Sequence, residues 1–298
     1  MNDLKPNLFI PGFSKAGTTV LVDYLAQHKD IFVPWRKEPH TLTELETLPS
    51  WFNTRYKMGK LNTSSYLKLY RNSKDYRYRV DGSTSYTFNT DTAKRIKEFN
   101  PDAKIIMCIR EQKSRLISSY LFTYLSHRED NLQLWIEKYF VPALDTFLIY
   151  NKVKAYYDVF GDNLRVVDNS DLKNNPQSTL NSIFKFLDVE SIDIVPIYRN
   201  PSMVTPFDNK LYRYTMFILY LIIVESLNIS RDLGIESIGR RTFNSIRYKF
   251  AKRFIEKKVK TKKDNIFVKM IPAEIARVLE DDYTATLDFV RSNNIILN

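Results

Sequence analysis

From residue 8 to residue 188 the chain alternates between short apolar runs and amphipathic stretches. Short continuous apolar runs are typical of buried parallel strands, and apolar residues every three or four positions indicate helices. The predicted strands are 8–10, 30–35, 79–81, 104–109 and 164–168. The predicted helices are 18–28, 91–99, 113–127, 135–160 and one that begins at Pro176 and runs to 189. This order predicts an α/β fold with a central parallel sheet flanked by helices.

The C-terminal third has a different pattern. After Pro206 the sequence is helical throughout, with no predicted strand. No internal repeat and no linker rich in Pro, Gly or Ser interrupts the chain. We therefore expect residues 1–205 to form the α/β core and residues 206–298 to form an α-helical part that packs on this domain or extends it.

A glycine-containing loop joins the first predicted strand to the first predicted helix. Its sequence PGFSKAGTT has Gly12 and Gly17 at Walker A spacing, but position 18 is threonine and Lys15 lies inside the loop. Unpaired amides and the helix dipole make such a unit an anion site, which favours a P-loop NTPase-like fold. The two glycines could also serve the geometry of a tight turn alone.

The end of the strand at 104–109 argues against nucleoside triphosphate chemistry. A P-loop NTPase needs a carboxylate at the end of a neighbouring strand to hold magnesium, but here Arg110 follows the strand. We therefore expect no metal site, and a nucleotide that carries an additional phosphate.

Several segments together resemble the sulfotransferases that use 3′-phosphoadenosine 5′-phosphosulfate (PAPS). GFSKAGTT resembles their 5′-phosphosulfate loop, and IREQKSRLISSY resembles their 3′-phosphate segment. WRKEPH and DGSTSYTF resemble two segments of the heparan-type and bacterial branch, and FGDNLRVVDNSDL and FKFLDV extend the similarity over most of the chain. The resemblance implies PAPS as co-substrate, adenosine 3′,5′-bisphosphate (PAP) as product, and no metal.

The same resemblance implies a role for each loop residue. The implied nucleotide-binding residues are Ser14, Lys15, Ala16, Gly17, Thr18, Thr19, Arg110 and Ser118. Lys15 would stabilise the leaving phosphate, since a bridged sulfuryl group carries less charge than a terminal phosphate and needs no magnesium clamp. Arg110 and Ser118 would hold the 3′-phosphate.

The resemblance places the catalytic base at Glu38, which would take the acceptor's proton and contribute roughly 10²–10⁴-fold. His40 is the rival, because another branch of the family uses a histidine base, and it is otherwise a candidate acceptor contact. Asp81 is a second candidate acceptor contact and could equally be structural. A solvated charge pair between Lys37 and Glu38 is the alternative without catalysis.

The third segment departs from the heparan-type pattern. That branch often has a lysine where this chain has Gly82 or Ser83, and a proline where it has Thr84. These departures weaken any claim to the same glycan. The expected acceptor is a hydroxyl or amine of a carbohydrate, a glycolipid or a small hydroxylated molecule.

The positive charge is concentrated in one segment. Of the formal net charge of +11, residues 239–263 contribute +10, with eleven Lys/Arg and one acid, while 211–224 is apolar and aromatic. Residues 211–263 could contact an anionic membrane surface, line a cleft for an anionic acceptor, or form a helix with a solvated basic face. We expect no nucleic-acid partner, because the chain has no recognised nucleic-acid module.

The cellular location is predicted from the N-terminal residues, the longest apolar run and the cysteine count. The first ten residues lack the features of a secretory signal, and the longest apolar run, 215–224, is about half of what a membrane-spanning helix needs. The lone Cys108 lies in an apolar strand and is expected to be buried and without chemistry. A cytoplasmic location, in contact with the inner face of a membrane if 211–263 binds one, is expected.

The sequence therefore predicts a PAPS-dependent sulfotransferase that acts on a carbohydrate or glycolipid. Two alternatives stay open. A P-loop kinase or NTPase with a degenerate Walker A loop would bind Mg-ATP, and a non-catalytic relative would bind membrane or glycan without using Glu38.

Overall fold

A sheet of six parallel strands organises the part of the chain that the computed structural model describes, residues 4–44, 60–127, 131–197 and 267–297. The strands are β1 (Leu8–Phe9), β2 (Ile31–Phe32), β3 (Tyr78–Asp81), β4 (Lys104–Ile109), β5 (Leu164–Asp168) and β6 (Ile296–Leu297). Their order is β2-β3-β1-β4-β5-β6, and every pairing is parallel. The predicted α/β class is confirmed.

Helices connect the strands. In chain order they are α1 (Thr18–Leu25), α2 (Thr63–Lys68), α3 (Thr92–Phe99), α4 (Gln112–His127), α5 (Leu132–Trp135), α6 (Leu144–Phe147), α7 (Tyr150–Phe160), α8 (Asn169–Asn174), α9 (Pro176–Leu187) and α10 (Ala273–Ser292). The predicted helices at 18–28, 91–99 and 113–127 and the one from Pro176 are found within a few residues of their expected ends. The short α2 was not predicted.

The core forms around β4. Its residues from Ile105 to Ile109 are fully buried, as the continuous apolar run predicts. Cys108 lies in this run, and burial raises the pKa of its thiol to about 12. The thiol is therefore neutral at ordinary pH, in agreement with the expected inert strand residue.

The predicted single helix from 135 to 160 is wrong. The chain instead passes from α5 through a π-helical turn, a 3₁₀ turn and α6, and Leu148 is extended before α7 begins. Pro142 interrupts the helix because it lacks an amide proton. The carboxylate of Asp282, on α10, accepts hydrogen bonds from the amides of Ile149 and Tyr150 and so caps the start of α7.

The expectation that no strand follows Pro206 is also wrong. Asn294 adopts a positive φ of 51° after α10, and the chain then adds β6 to the edge of the sheet beside β5. Val290 and Ile295 belong to the main core, so the described C-terminal residues pack on the α/β sheet. The predicted boundary at 205/206 and the basic and apolar segment 211–263 lie outside the described residues.

Candidate active site

The loop between β1 and α1 lies directly against the end of β4. A Cβ atom on Gly12 would lie 2.2 Å from Cγ2 of Thr18 and 3.2 Å from the main-chain nitrogen of Cys108. Since the first distance is far below van der Waals contact, only glycine fits at this position without a shift of the loop.

Two residues of the loop have left-handed backbone conformations. Lys15 has a φ of 66° and Gly17 a φ of 98°. Gly17 also leaves the space taken by Asn169, whose Nδ2 would lie 2.3 Å from an added Cβ. A left-handed lysine costs about 1–3 kcal/mol and persists only where its surroundings impose it, which is typical of functional loops.

The start of α1 is suited to an anion. Gly17 is the N-cap residue and has no side chain to accept hydrogen bonds from the first amides of α1. The first turn of α1, Thr18–Leu25, contains no acidic residue. Thr18 is buried and Thr19 is exposed, while Ser14 and Lys15 are half-buried and Ala16 is buried. The amides and the positive end of the dipole at this terminus favour a phosphate or sulfate group.

Arg110 is tied to the loop. Its Nη1 donates a hydrogen bond to the main-chain oxygen of Lys15 at 3.1 Å, which joins the end of β4 to the left-handed turn. Ser118 is half-buried on α4, eight residues further along the chain. The structure thus brings Arg110 to Lys15, and the binding of a nucleotide by these two residues stays a prediction.

The ammonium of Lys15 lies 4.3 Å from the ring centroid of Phe122, within the range of a cation–π contact. Phe122 is 47% exposed on α4, so this contact lies at the protein surface. No sequence signal marked Phe122, because a single aromatic residue in an amphipathic helix is ordinary.

Glu38 is held by two donors on the other side of the loop. Its Oε1 accepts from Nζ of Lys37 at 2.8 Å, and its Oε2 accepts from Oγ1 of Thr84 at 3.0 Å. The side chain of Glu38 is 31% exposed and that of Lys37 is 16% exposed. Lys37 and Glu38 therefore form a partly buried ion pair, and the fully solvated pair considered as an alternative is not found.

The environment keeps Glu38 ionised. Burial by itself would raise the pKa of this carboxyl, but Lys37, His40 and the Thr84 hydroxyl together outweigh burial and hold the pKa below its usual value. A carboxylate in this state can accept a proton at neutral pH.

His40 is buried and strained beside Glu38. Its φ is 57°, and its Nδ1 is hydrogen-bonded to Oγ of Ser85 at 2.8 Å. Its Nε2 faces Oε2 of Glu38 at 3.8 Å, and its amide donates to Oγ of Ser83 at 3.0 Å. His40 therefore packs beside Glu38, and with only 7% of its surface exposed to solvent it offers little surface for contact with an acceptor.

Asp81 ends β3 and has no exposed surface. Its Oδ2 accepts from the hydroxyls of Tyr66 at 2.5 Å and Tyr86 at 2.7 Å, and its Oδ1 accepts from the amide and hydroxyl of Ser83. Burial raises the pKa of this carboxyl, and the four hydrogen bonds oppose the rise. This arrangement fits a residue that fixes the segment carrying Ser83 and Thr84 and does not suit direct contact with an acceptor.

The described residues contain neither a metal-binding cluster nor a membrane-spanning helix. No group of three or more His, Cys, Asp or Glu side chains that could hold a metal occurs in residues 4–44, 60–127, 131–197 and 267–297. Within the same ranges, no helix is long and apolar enough to cross a membrane.

Of the predicted residues outside the loop, Arg110 contacts the loop directly and Glu38 is joined to it through Lys37. Lys37, Thr84 and Asn169 contact predicted site residues, although they come from separate loops and a helix start. A charged residue beside Glu38 was visible, but the direction in which Lys37 points was not.

The chain is similar to proteins of known family. A model of the sulfotransferase family matches residues 6–193, a range that contains the loop, Glu38, Asp81, Arg110 and Ser118. Among solved structures, a sulfotransferase from Alicyclobacillus acidocaldarius has a TM-score of 0.59 and 25% identity, over 66% of this chain and 87% of that chain.

Two human proteins are similar over shorter ranges. Heparan sulfate glucosamine 3-O-sulfotransferase 3B1 is 29% identical over 153 residues, 51% of this chain and 33% of that protein. Heparan sulfate glucosamine 3-O-sulfotransferase 6 is 27% identical over 118 residues, 40% of this chain and 30% of that protein. The matched stretch spans about a third of the length of these relatives.

Proposed function

The chain belongs to the sulfotransferase family, and from this premise we propose that it transfers the sulfuryl group of PAPS to a hydroxyl or amine of a carbohydrate or glycolipid. The observation that carries the proposal is the position of an ionised Glu38 beside a loop that offers amides, Lys15 and Arg110. An anion site and a base at one edge of the sheet are what an in-line transfer requires.

The loop suits the 5′-phosphosulfate of PAPS. The start of α1 provides amides with no acidic residue in the first turn, and Lys15 provides a positive charge beside them. Arg110 and Ser118 would bind the 3′-phosphate, since a guanidinium forms charge-assisted hydrogen bonds with phosphate oxygens. Each of these roles is part of the proposal.

The proposed transfer forms one bond to sulfur and breaks another. The acceptor oxygen or nitrogen forms a bond to sulfur while the bridging bond from sulfur to the 5′-phosphate oxygen breaks. The electron pair of that bond stays on the phosphate, where Lys15 stabilises the added negative charge. Glu38 takes the proton of the acceptor.

The position of Asp81 argues against the kinase alternative. It stands at the end of β3, beside β1, where a P-loop NTPase could place its magnesium carboxylate. Each oxygen of Asp81 already accepts two hydrogen bonds from the protein, which satisfies the carboxylate without a metal ion.

The choice of base favours Glu38 over His40. Glu38 is 31% exposed along its side chain, while the His40 side chain is 9% exposed and its Nδ1 is engaged by Ser85. The heparan sulfate relatives act on a glycan by name, which supports a carbohydrate acceptor for this chain.

Incubation with ³⁵S-labelled PAPS and a panel of heparan-type oligosaccharides, glycolipids and small phenols tests the proposal. We expect label to move to a carbohydrate or glycolipid and PAP to appear in equal amount. Transfer to phenols alone would contradict the acceptor class, and absence of transfer to the whole panel by protein that binds PAPS would favour the non-catalytic relative.

A further inference from the structure

Lys37 makes contacts that a surface lysine does not need. Its ammonium donates to Oε1 of Glu38 at 2.8 Å, to Oγ1 of Thr18 at 3.2 Å and to the main-chain oxygen of Gly82 at 3.3 Å. With its side chain 16% exposed, Lys37 joins the proposed base to the first residue of α1.

Gly82 leaves the space through which this side chain passes. A Cβ atom at position 82 would lie 3.2 Å from Cγ and 3.4 Å from Cε of Lys37. Contacts at the shorter distance are tighter than ordinary packing, so glycine here allows the lysine to reach inward. The positive charge of Lys37 also lowers the pKa of the Cys108 thiol, although burial raises this pKa by more.

Thr18 occupies the place of the lysine in a Walker A loop, and Lys37 brings an ammonium to its hydroxyl from a different segment. The loop thereby has a cation on each side. Lys15 lies against Phe122 on the side of α4, and Lys37 lies between the helix start and Glu38.

We propose that Lys37 is a further catalytic residue, whose ammonium contacts the non-bridging oxygens of the sulfuryl group between the loop and Glu38. The inference rests on the proposed sulfuryl transfer. Lys37 supplies a positive charge on the acceptor side of sulfur, and Lys15 supplies one on the leaving-group side.

The proton transfer gives Lys37 its second effect. When Glu38 takes the acceptor's proton, the carboxyl loses its charge and the ion pair with Lys37 weakens. The ammonium then interacts more strongly with the sulfuryl oxygens. No electron or atom is needed beyond those of the transfer already described.

Calorimetric titration with PAPS and with PAP tests this contact without an acceptor. We expect Lys37→Met to weaken PAPS binding about tenfold, the loss of one charge-assisted contact, and to change PAP binding less than about twofold. Lys37→Arg should recover part of the PAPS affinity. Lys29→Met removes an exposed lysine that pairs with Glu190 at the surface, so it is the matched control and should change neither affinity.

A Glu38→Gln background separates contact from positioning. If Lys37 touches the sulfuryl group, Lys37→Met weakens PAPS by at least the same factor in that background, because the neutral glutamine competes less for the ammonium than the carboxylate does. A loss that disappears there, or one that is equal for PAPS and PAP, would overturn the inference. Wild-type protein that binds neither nucleotide would contradict the proposed function itself, whereas normal binding of both by Lys37→Met would contradict only the role of Lys37.

Discussion

Arg110 and Lys15 are joined by a hydrogen bond of 3.1 Å from the guanidinium to the main-chain oxygen. The residue proposed to bind the 3′-phosphate therefore also supports the left-handed turn that carries the proposed leaving-group lysine. The residues proposed to bind the two ends of the nucleotide are therefore in direct contact with each other.

Replacing Arg110 should affect nucleotides according to their 3′-phosphate. We expect Arg110→Ala to weaken PAP about 10- to 100-fold, the range for hydrogen bonds to a charged group. ADP, which lacks that phosphate, should lose much less, and only through the disturbed loop. Calorimetry with both nucleotides checks this, and equal losses would show that Arg110 is structural.

Replacing Lys15 should act on turnover more than on binding. We expect Lys15→Ala to lower kcat about 10²-fold or more, because the developing charge on the leaving phosphate loses its stabilisation. Lys154→Ala, which breaks an exposed pair with Asp158, is the control and should retain full activity. A Lys15→Ala protein with most of its activity would contradict the assigned role.

The pH dependence of kcat distinguishes the two candidate bases. Lys37, His40 and Thr84 outweigh burial and keep the pKa of Glu38 below its usual value, so the folded protein holds this carboxylate ionised down to acid pH. Its contribution to stability is then present above the unfolded pKa and is lost as the pH falls through the folded pKa. We expect the acid limb of the rate profile to lie below the ordinary glutamate pKa of about 4.3, while a limb near about 6.5 would point to histidine.

The network around Asp81 should matter for stability. Asp81→Asn cannot accept from both Tyr66 and Tyr86 and from Ser83 in the same geometry. We expect a loss of about 2 kcal/mol or more in the free energy of unfolding, the cost of buried donors left unsatisfied. Asp102→Asn, at an exposed position, is the control for denaturant titration. Equal stability of the two variants would contradict this role.

Two glycines with positive φ, Gly17 in the loop before α1 and Gly161 at the end of α7, allow a comparison of backbone strain inside and outside the proposed site. Gly17→Ala combines a φ of 98° with a clash against Asn169, whereas Gly161→Ala has a φ of 49° and nothing within 4 Å. We expect Gly17→Ala to lower both the melting temperature and the affinity for PAP. Gly161 ends α7 with φ 49° and ψ −120°, so Gly161→Ala should lower the melting temperature through backbone strain alone and leave the affinity for PAP unchanged. Similar PAP affinities for both variants would show that the loop does not bind the nucleotide.

Local sequence patterns predicted much of the fold. The apolar run of β4 and the glycine loop were visible because each depends on neighbouring residues alone. The break at Leu148 and the edge strand β6 were not visible. The first is stabilised by Asp282 from far along the chain, and the second has two residues, too few for a periodic pattern.

The candidate site divides in the same way. The loop lysine, Arg110 and Glu38 were predicted from motifs, and their catalytic and binding roles stay predictions. Lys37 turns inward because position 82 is a glycine, and these two residues are 45 positions apart in the chain. Asp81 is enclosed partly by Tyr66, which lies on α2, a helix that the sequence pattern did not reveal.

The proposed transfer requires a site for a 3′-phosphorylated nucleotide, and thermal unfolding with PAP, ADP or Mg-ATP detects such a site without an acceptor. At 100 times its Kd a ligand adds about 2.7 kcal/mol, which is a shift of a few degrees for a protein near this size. We expect a clear shift with PAP and none with Mg-ATP at the same concentration. A shift with Mg-ATP and none with PAP would contradict the account and support the kinase alternative.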